Sequence, residues 1–190
     1  MPRPRSELTR QSVLSAMRRA ISVGTYASVT IEGLAAEAGV SKQTIYRWWG
    51  TKAAILGEAM LEGELPGSPP DLPESDDLAA DLRAWLAISV DLQERPQQSA
   101  VARALIAVTA EDPALGAELN DRFARPVLAW IVRRLERAKA SGEVGEGIDS
   151  ASVAELFLAT VSYAALLGRP VTTEHGATLV DTVLEGIRPR

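Results

Sequence analysis

The side chains with the clearest chemical potential lie in one stretch, from Thr30 to Lys52, which reads TIEGLAAEAGVSKQTIYRWWGTK. Its ammonium, guanidinium, amide, hydroxyl and indole groups all donate hydrogen bonds, and its cations attract phosphate. Such groups contact the phosphates of double-stranded DNA and the base edges in its major groove. We therefore predict a DNA-binding set made of Thr30, Ser41, Lys42, Gln43, Thr44, Tyr46, Arg47, Trp48 and Lys52.

Side-chain chemistry divides this set into two roles. The base-reading candidates are Lys42, Gln43 and Thr44, because an amide can pair with adenine and a lysine can reach guanine. The phosphate-holding candidates are Thr30, Tyr46, Arg47, Trp48 and Lys52. Ile45 and Trp49 are assigned to the small core instead. The alternative for Tyr46 and Trp48 is that they also pack in this core.

These side chains need two short helices to position them. Thr30 is a good N-cap for one helix, Gly39 supplies a turn, and Ser41 caps a second helix that runs to about Trp48. Thr51 can cap a third. A helix, a turn and a polar second helix form a helix-turn-helix, which places its second helix in the major groove.

The charge distribution favours the same interpretation. The chain of 190 residues has a net charge of −5, which alone argues against nucleic-acid binding. Residues 1–56, however, carry eight Lys or Arg against three acids, a net charge of +5. Only the part that faces phosphate needs to be positive, so a basic head on an acidic body fits a modular DNA-binding protein.

Beyond this head the pattern remains helical. We predict an all-α protein of about nine helices, with a three-helix DNA-binding domain and a larger helical domain for ligand binding and dimerisation. Four prolines and a glycine interrupt the pattern between Leu65 and Pro73. The predicted divisions are a DNA-binding domain over 1–64, a linker over 65–77 and the second domain over 78–190. Pro126 predicts a break or kink near Arg125.

The motif resembles the tetracycline repressor (TetR) family of bacterial transcriptional regulators. The resemblance covers roughly residues 9–60 and rests on Thr30, the LAAEAGVS run at 34–41, Tyr46, an aromatic pair and Lys52. The pair departs from the family, since members often have His-Phe or Tyr-Phe where this chain has Trp48-Trp49. The resemblance implies a homodimeric repressor, paired through its last two long helices, that a small-molecule inducer releases from DNA. Because a dimer has two-fold symmetry, the expected DNA partner is a palindromic operator.

A dimer interface is also suggested by the helix predicted from Ser150 to Leu167, which is apolar around most of its circumference. Such a helix must be buried on two sides, and one side can face a second subunit. The alternative is a central core helix in a monomer. The predicted interface residues are Val153, Phe157, Thr160, Val161, Ala164, Leu179, Val183 and Leu184.

Ligand-binding residues are harder to select. The candidates for a cavity between helices are Trp85, Arg103, Phe123, Trp130 and Tyr163, each of which could equally be an ordinary core or surface residue. His175, the single histidine, is expected to be a solvated or capping residue. With no cysteine and one histidine, we predict no metal site and no cofactor.

Other function classes lack their signals. There is no glycine-rich phosphate loop and no plausible Ser/His/Asp set, so we expect no enzyme. The N-terminus lacks a secretory pattern and the longest uncharged stretch, Leu156–Gly168, is too short for a membrane span, so we expect a soluble, cytoplasmic protein with no membrane partner. The alternatives that remain are a helical adaptor and a DNA-binding regulator that needs no inducer.

Overall fold

The computed structural model describes residues 4–62, 72–94, 96–169 and 171–189. Over these ranges the regular structure is entirely helical, which confirms the predicted all-α class. The helices are α1 (Pro4–Val23), α2 (Ile31–Ala38), α3 (Lys42–Trp48), α4 (Lys52–Leu61), α5 (Leu78–Glu94), α6 (Pro96–Glu111), α7 (Pro113–Phe123), α8 (Arg125–Ala140), α9 (Ser150–Leu166) and α10 (Thr173–Gly186). A short 3-10 turn covers Tyr26–Ser28. The proline-rich segment 65–71 lies outside the described residues.

Local sequence explains most helix ends. The hydroxyl oxygens of Thr30, Ser41 and Thr51 accept hydrogen bonds from backbone N–H groups three residues later, at 3.0–3.1 Å, so the three predicted N-caps are confirmed. Gly39 ends α2 with φ at +68°, a left-handed conformation that favours glycine. The predicted break near Arg125 is also confirmed. Pro126 occupies the first turn of α8, where its missing N–H costs no helix bond.

The helices form two compact units, which do not follow the linear division predicted above. The first unit contains residues 1–68 and 96–122, and the second contains residues 69–95 and 123–190. Helix α6 and most of α7 therefore group with the helix-turn-helix. The Tyr26 hydroxyl donates to Glu111 at the end of α6 (2.8 Å). A Cβ atom at Gly57 of α4 would lie only 2.6 Å from the Leu115 side chain of α7.

The core of the first unit explains why a small helix-turn-helix has a fixed shape. Apolar residues of α1 recur at helical spacing and are fully buried, among them Val13, Leu14, Met17 and Ile21. They belong to a core that also contains Leu34 of α2, Ile45 of α3, and Ile55 and Leu56 of α4. Each helix of the motif thus buries its apolar side in the unit.

The second unit has its own core, drawn from α5, α8, α9 and α10. Its largest members include Trp85, Trp130 and Phe157, all nearly or fully buried. One buried ion pair adds polarity, since Arg134 Nη2 lies 2.5 Å from Asp81 Oδ2 and both side chains are 4% exposed. Ser75 donates to the same carboxylate through its backbone N–H and its hydroxyl. A buried carboxylate needs such partners to remain charged.

No helix among the described residues is both long and apolar enough to cross a bilayer.

Candidate DNA interface

The second helix of the motif, α3, presents one continuous polar face. Successive residues of an α-helix are rotated by about 100°, so positions 42, 43, 46 and 47 share one side. Lys42, Gln43, Tyr46 and Arg47 are all exposed, and Tyr46 is 56% exposed despite its size. Ile45 is fully buried on the opposite side. The arrangement offers a cation, an amide, a phenol and a guanidinium together at the surface.

The Lys42 ammonium on this face is paired with a carboxylate. Its ammonium Nζ donates to Glu32 Oε1 at 2.8 Å, and Glu32 lies in the first turn of α2. Both side chains are more than half exposed. The hydrogen bond from Lys42 lowers the pKa of the Glu32 carboxyl, and the carboxylate raises the pKa of Lys42 in return. Glu32 therefore competes with any phosphate for the same ammonium.

The hydroxyls of Ser41 and Thr44 have hydrogen-bond partners within the first turn of α3. The Ser41 hydroxyl caps α3, and it also lies 2.9 Å from the hydroxyl of Thr44, which is half-buried. These contacts fix the first turn of α3. The Thr30 hydroxyl has the same capping role at α2.

Trp48 lies on the far side of α3 from the polar face, because its position is rotated by roughly 140–160° from those of Gln43 and Tyr46. It is half-buried, and its ring lies 5.7 Å from the ring of Trp49. Trp49 is 4% exposed, in agreement with its expected core position.

Lys52 is the first residue of α4 and makes two contacts that are not predictable from its motif. Its Nζ donates to the backbone oxygen of Tyr26 at 3.0 Å and lies 4.1 Å from the centre of the Tyr26 ring. Burial and the hydrogen bond to Glu111 raise the pKa of the Tyr26 phenol, which stays protonated. An ammonium has three donors, so Lys52 keeps capacity for a phosphate. Tyr26 was missed because it lies outside both helices of the motif.

A second unexpected network joins α1, α3 and α4. The indole Nε1 of Trp49 donates to Glu58 Oε2 at 2.6 Å. Arg10 Nη2 lies 2.5 Å from Glu58 Oε1, as an ion pair without hydrogen-bond geometry, and 2.5 Å from Glu62 Oε1. Periodicity identified Trp49 as a core residue but carried no sign of its polar partner.

The predicted ligand-binding residues are not brought together. Trp85 and Trp130 pack against each other in the core of the second unit, with ring centres 6.3 Å apart. Arg103 lies on α6 in the first unit, and Phe123 ends α7. Tyr163 lies instead on a surface groove of about 480 Å³, whose other lining residues include Thr160, Arg169 and His175. Within the described ranges, no group of His, Cys, Asp or Glu is arranged to hold a metal.

The predicted interface residues of α9 and α10 differ in how deeply they are buried within their own chain. Phe157 is fully buried in the core of its own chain. Five others pack partly buried against that core, namely Val153, Val161, Leu179, Val183 and Leu184. Thr160 and Ala164 are half-buried. The opposite face of α9 carries a separate apolar stripe, of which Leu156, Tyr163 and Leu166 are 49%, 60% and 53% exposed.

Comparison with known proteins decides the family. The N-terminal family model described as "Bacterial regulatory proteins, tetR family" matches residues 13–59. The model described as "Tetracyclin repressor-like, C-terminal domain" matches residues 72–183, more than half of the chain. The chain belongs to the TetR family. It is a DNA-binding transcriptional regulator, and α3 corresponds to the recognition helix of the motif.

Relatives and solved structures agree over nearly the whole length of this TetR-family chain. It is 27% identical to the HTH-type transcriptional regulator YdeS of Bacillus subtilis (strain 168), covering 98% of this chain and 93% of that one. A DNA-binding transcriptional repressor, TetR of Mycobacteroides abscessus, is 26% identical, with coverage of 95% and 94%. The crystal structure of the TetR family transcription regulator SCO0332 is 25% identical, with a TM-score of 0.61 and coverage of 95% and 99%. A TetR regulator from Agrobacterium tumefaciens shares the fold at 20% identity, with a TM-score of 0.69 and coverage of 96% and 95%.

Proposed function

We propose that this chain is a homodimeric repressor that binds a palindromic operator and is released from it by a small molecule. The observation that carries the proposal is the exposed polar face of α3, formed by Lys42, Gln43, Tyr46 and Arg47. Each of these side chains donates hydrogen bonds, and two are cations. The 26% identity to a transcriptional repressor over 95% of the chain supports repression as the outcome.

The proposed contacts follow from position on α3. Gln43 and Lys42 lie near the N-terminal end of the recognition helix, where side chains contact base edges, so we assign them to base reading. Tyr46, Arg47 and Lys52 are assigned to phosphates. Thr30 and Ser41 act mainly as helix caps, which orient N–H groups towards the backbone of DNA, and Thr44 holds the Ser41 hydroxyl. Trp48 packs against Trp49 on the side of α3 away from the polar face.

Dimerisation is proposed through the exposed stripe of α9, defined by Leu156, Ala159, Tyr163 and Leu166. Large apolar side chains left in water on one helix face mark an interaction surface. A two-fold axis places the same stripe of both copies together. A two-fold dimer can also present two recognition helices to successive major grooves, which requires a separation of about 34–36 Å. We retain the predicted assignment of roles, with DNA contacts in residues 1–64 and partner contacts in 78–190.

A ligand site is proposed in the second unit, at the groove lined by Tyr163, Arg169 and His175. It combines an aromatic ring with polar groups that can fix the orientation of a ligand. A small organic acid fits this chemistry, because Arg169 is a permanent cation.

The competing possibility is a regulator without an inducer. Titration of operator complexes with a panel of small carboxylic acids distinguishes the two. If no compound releases the DNA, the regulator without an inducer is favoured.

The central experiment is selection of duplexes from a random pool by the full chain. A palindrome with half-sites about one helical turn apart is expected. Binding should weaken linearly in log–log coordinates as salt rises, since each neutralised phosphate adds about 0.9 to the slope. An asymmetric site would contradict the two-fold arrangement. No enrichment at all, or a flat salt response, would favour the helical adaptor.

A further inference from the structure

The recognition helix, α3, is too short to keep a fixed orientation without contacts from the rest of the unit. Helix α3 has seven residues, whereas isolated helices shorter than about 12–15 residues are marginal in water. It is fixed by the Ser41 cap at its start, by fully buried Ile45 at its middle and by Trp49 at its end. Ile45 provides only non-directional apolar contact. The Lys42–Glu32 pair also joins α3 to α2, but both side chains are more than half exposed, so it holds the helix only weakly. The angle of the helix therefore depends mainly on what holds Trp49.

Trp49 is held by a directional, charge-assisted hydrogen bond. Its indole N–H donates to the Glu58 carboxylate at 2.6 Å, in a part-buried setting where a carboxylate is a stronger acceptor than a neutral group. Because the indole is rigid, a fixed Nε1 fixes the whole ring. The ring of Trp48 leans on it at 5.7 Å, so the last turn of α3 is anchored as one body.

Glu58 is itself held in place. It lies on α4, whose Ile55, Leu56 and Ala59 are fully buried in the first unit. Its second oxygen, Oε1, lies 2.5 Å from Arg10 Nη2 of α1, and the Arg10 side chain is 20% exposed. The carboxylate thus spans two groups, with Trp49 on one oxygen and Arg10 on the other.

We infer that Glu58 is a positioning residue for DNA recognition, which acts through Trp49 to set the angle at which the polar face of α3 meets the base pairs. The inference rests on the proposed function of α3. A phenylalanine at position 49 would occupy similar space but could not donate, so it would leave α3 packed but free to tilt. Base reading needs a fixed geometry, whereas contact with phosphates tolerates a small tilt.

The test uses the full chain with Trp49→Phe, Glu58→Met and Glu58→Gln. Two affinities are measured, for the duplex selected by the wild type and for an unrelated duplex of equal length, together with the melting temperature. Loss of one charge-assisted bond should weaken binding to the selected duplex by roughly tenfold in Trp49→Phe and Glu58→Met. Affinity for the unrelated duplex should change by less than about twofold. Glu58→Gln retains an acceptor oxygen and should recover most of the lost discrimination.

Glu62→Gln is the matched control, because Glu62 shares Arg10 but does not contact Trp49. It should leave the ratio of the two affinities unchanged. In discrimination, the double variant Trp49→Phe/Glu58→Met should be no worse than either single variant, since each single change already removes the same Trp49–Glu58 hydrogen bond. Unchanged discrimination in Trp49→Phe or in Glu58→Met overturns the inference, as does a parallel loss on both duplexes that follows the melting temperature. If Trp49→Phe fails to fold, the inference is tested by whether Glu58→Gln discriminates between the two duplexes better than Glu58→Met does. A wild-type chain that selects no duplex refutes the proposed function instead.

Discussion

Lys42 shows how one exposed side chain can carry two opposing contacts. It lies on the proposed DNA-facing surface, yet its ammonium is paired with Glu32 at 2.8 Å. To bind a phosphate or a base, Lys42 must give up or share this carboxylate. Glu32 lies at the N-terminus of α2, where a negative charge also opposes an approaching phosphate. We therefore expect Glu32 to lower affinity for DNA of any sequence and to leave more of the selectivity to base contacts.

Replacing Glu32 with glutamine should strengthen DNA binding. Freeing one surface cation is expected to raise affinity for unrelated duplexes by up to roughly fivefold, with no gain in selectivity. Fluorescence anisotropy at several salt concentrations measures this, and the gain should diminish as salt rises. Glu118→Gln, which removes an exposed charge from α7, is the matched control and should have little effect. Equal gains in both variants would mean that only the net charge matters.

Gln43 should determine one base-pair preference. If its amide pairs with a base, Gln43→Ala should relax selectivity at one position of each half-site by about 1–3 kcal/mol and leave other positions unchanged. Competition with operators mutated at single base pairs measures the effect. Arg47→Ala is the contrasting variant, expected to weaken all duplexes alike and to reduce the salt slope by about 1. Unchanged preference in Gln43→Ala would refute its assignment to base reading.

At the scale of elements, the motif depends on caps and one turn. Three hydroxyl caps start α2, α3 and α4 at defined residues, and Gly39 reverses the chain between the first two. The left-handed φ of +68° allows only three residues, 39–41, to separate the end of α2 from the start of α3. A residue with a Cβ atom is strained in that conformation although the surrounding space is open.

Gly39→Ala should destabilise the chain by about 1–2 kcal/mol through backbone strain alone. Urea unfolding followed by circular dichroism measures the change. Gly50→Ala is the control, because a Cβ atom there also meets open space and Gly50 is not among the glycines with positive φ. Its effect should stay within about 0.5 kcal/mol. Similar losses of stability in both variants would mean that the effect comes from reduced loop flexibility in general and not from the turn at Gly39.

Prediction from sequence succeeded where the information is local. Thr30, Gly39, Ser41 and Thr51 act within three or four residues, so their types and spacing suffice. The partners of Lys42, Trp49 and Lys52 lie 10, 9 and 26 residues away along the chain, and no periodicity connects them. Helix α9 was recognised as apolar on two sides. Which side faces its own core depends on the packing of α5, α8 and α10, which the pattern of one helix does not encode.

At the scale of the whole molecule, α9 links the fold of one chain to the proposed two-fold dimer. One side of α9 supplies Ala154, Phe157 and Ala165, which are buried, and the other carries the stripe of Leu156, Ala159, Tyr163 and Leu166. The two sides lie roughly 160° apart around the helix. A monomer gains nothing from the second side, whereas a dimer buries it. In the proposed dimer the net charge of +5 on residues 1–56 would be doubled on one assembly, which would strengthen association with DNA.

Leu166→Glu should dissociate the dimer, because it places a carboxylate without a partner within the apolar contact, at the C-terminal end of the α9 stripe. Sedimentation at micromolar concentration should show twice 20.3 kDa for the wild type and 20.3 kDa for the variant. Affinity for the palindrome should fall by roughly a hundredfold or more, because two half-sites no longer bind together. Ala84→Glu introduces the same charge at an exposed position of α5 and should leave the dimer intact. A Leu166→Glu chain that remains dimeric would place the two-fold axis elsewhere and would leave the exposed stripe of α9 for another partner.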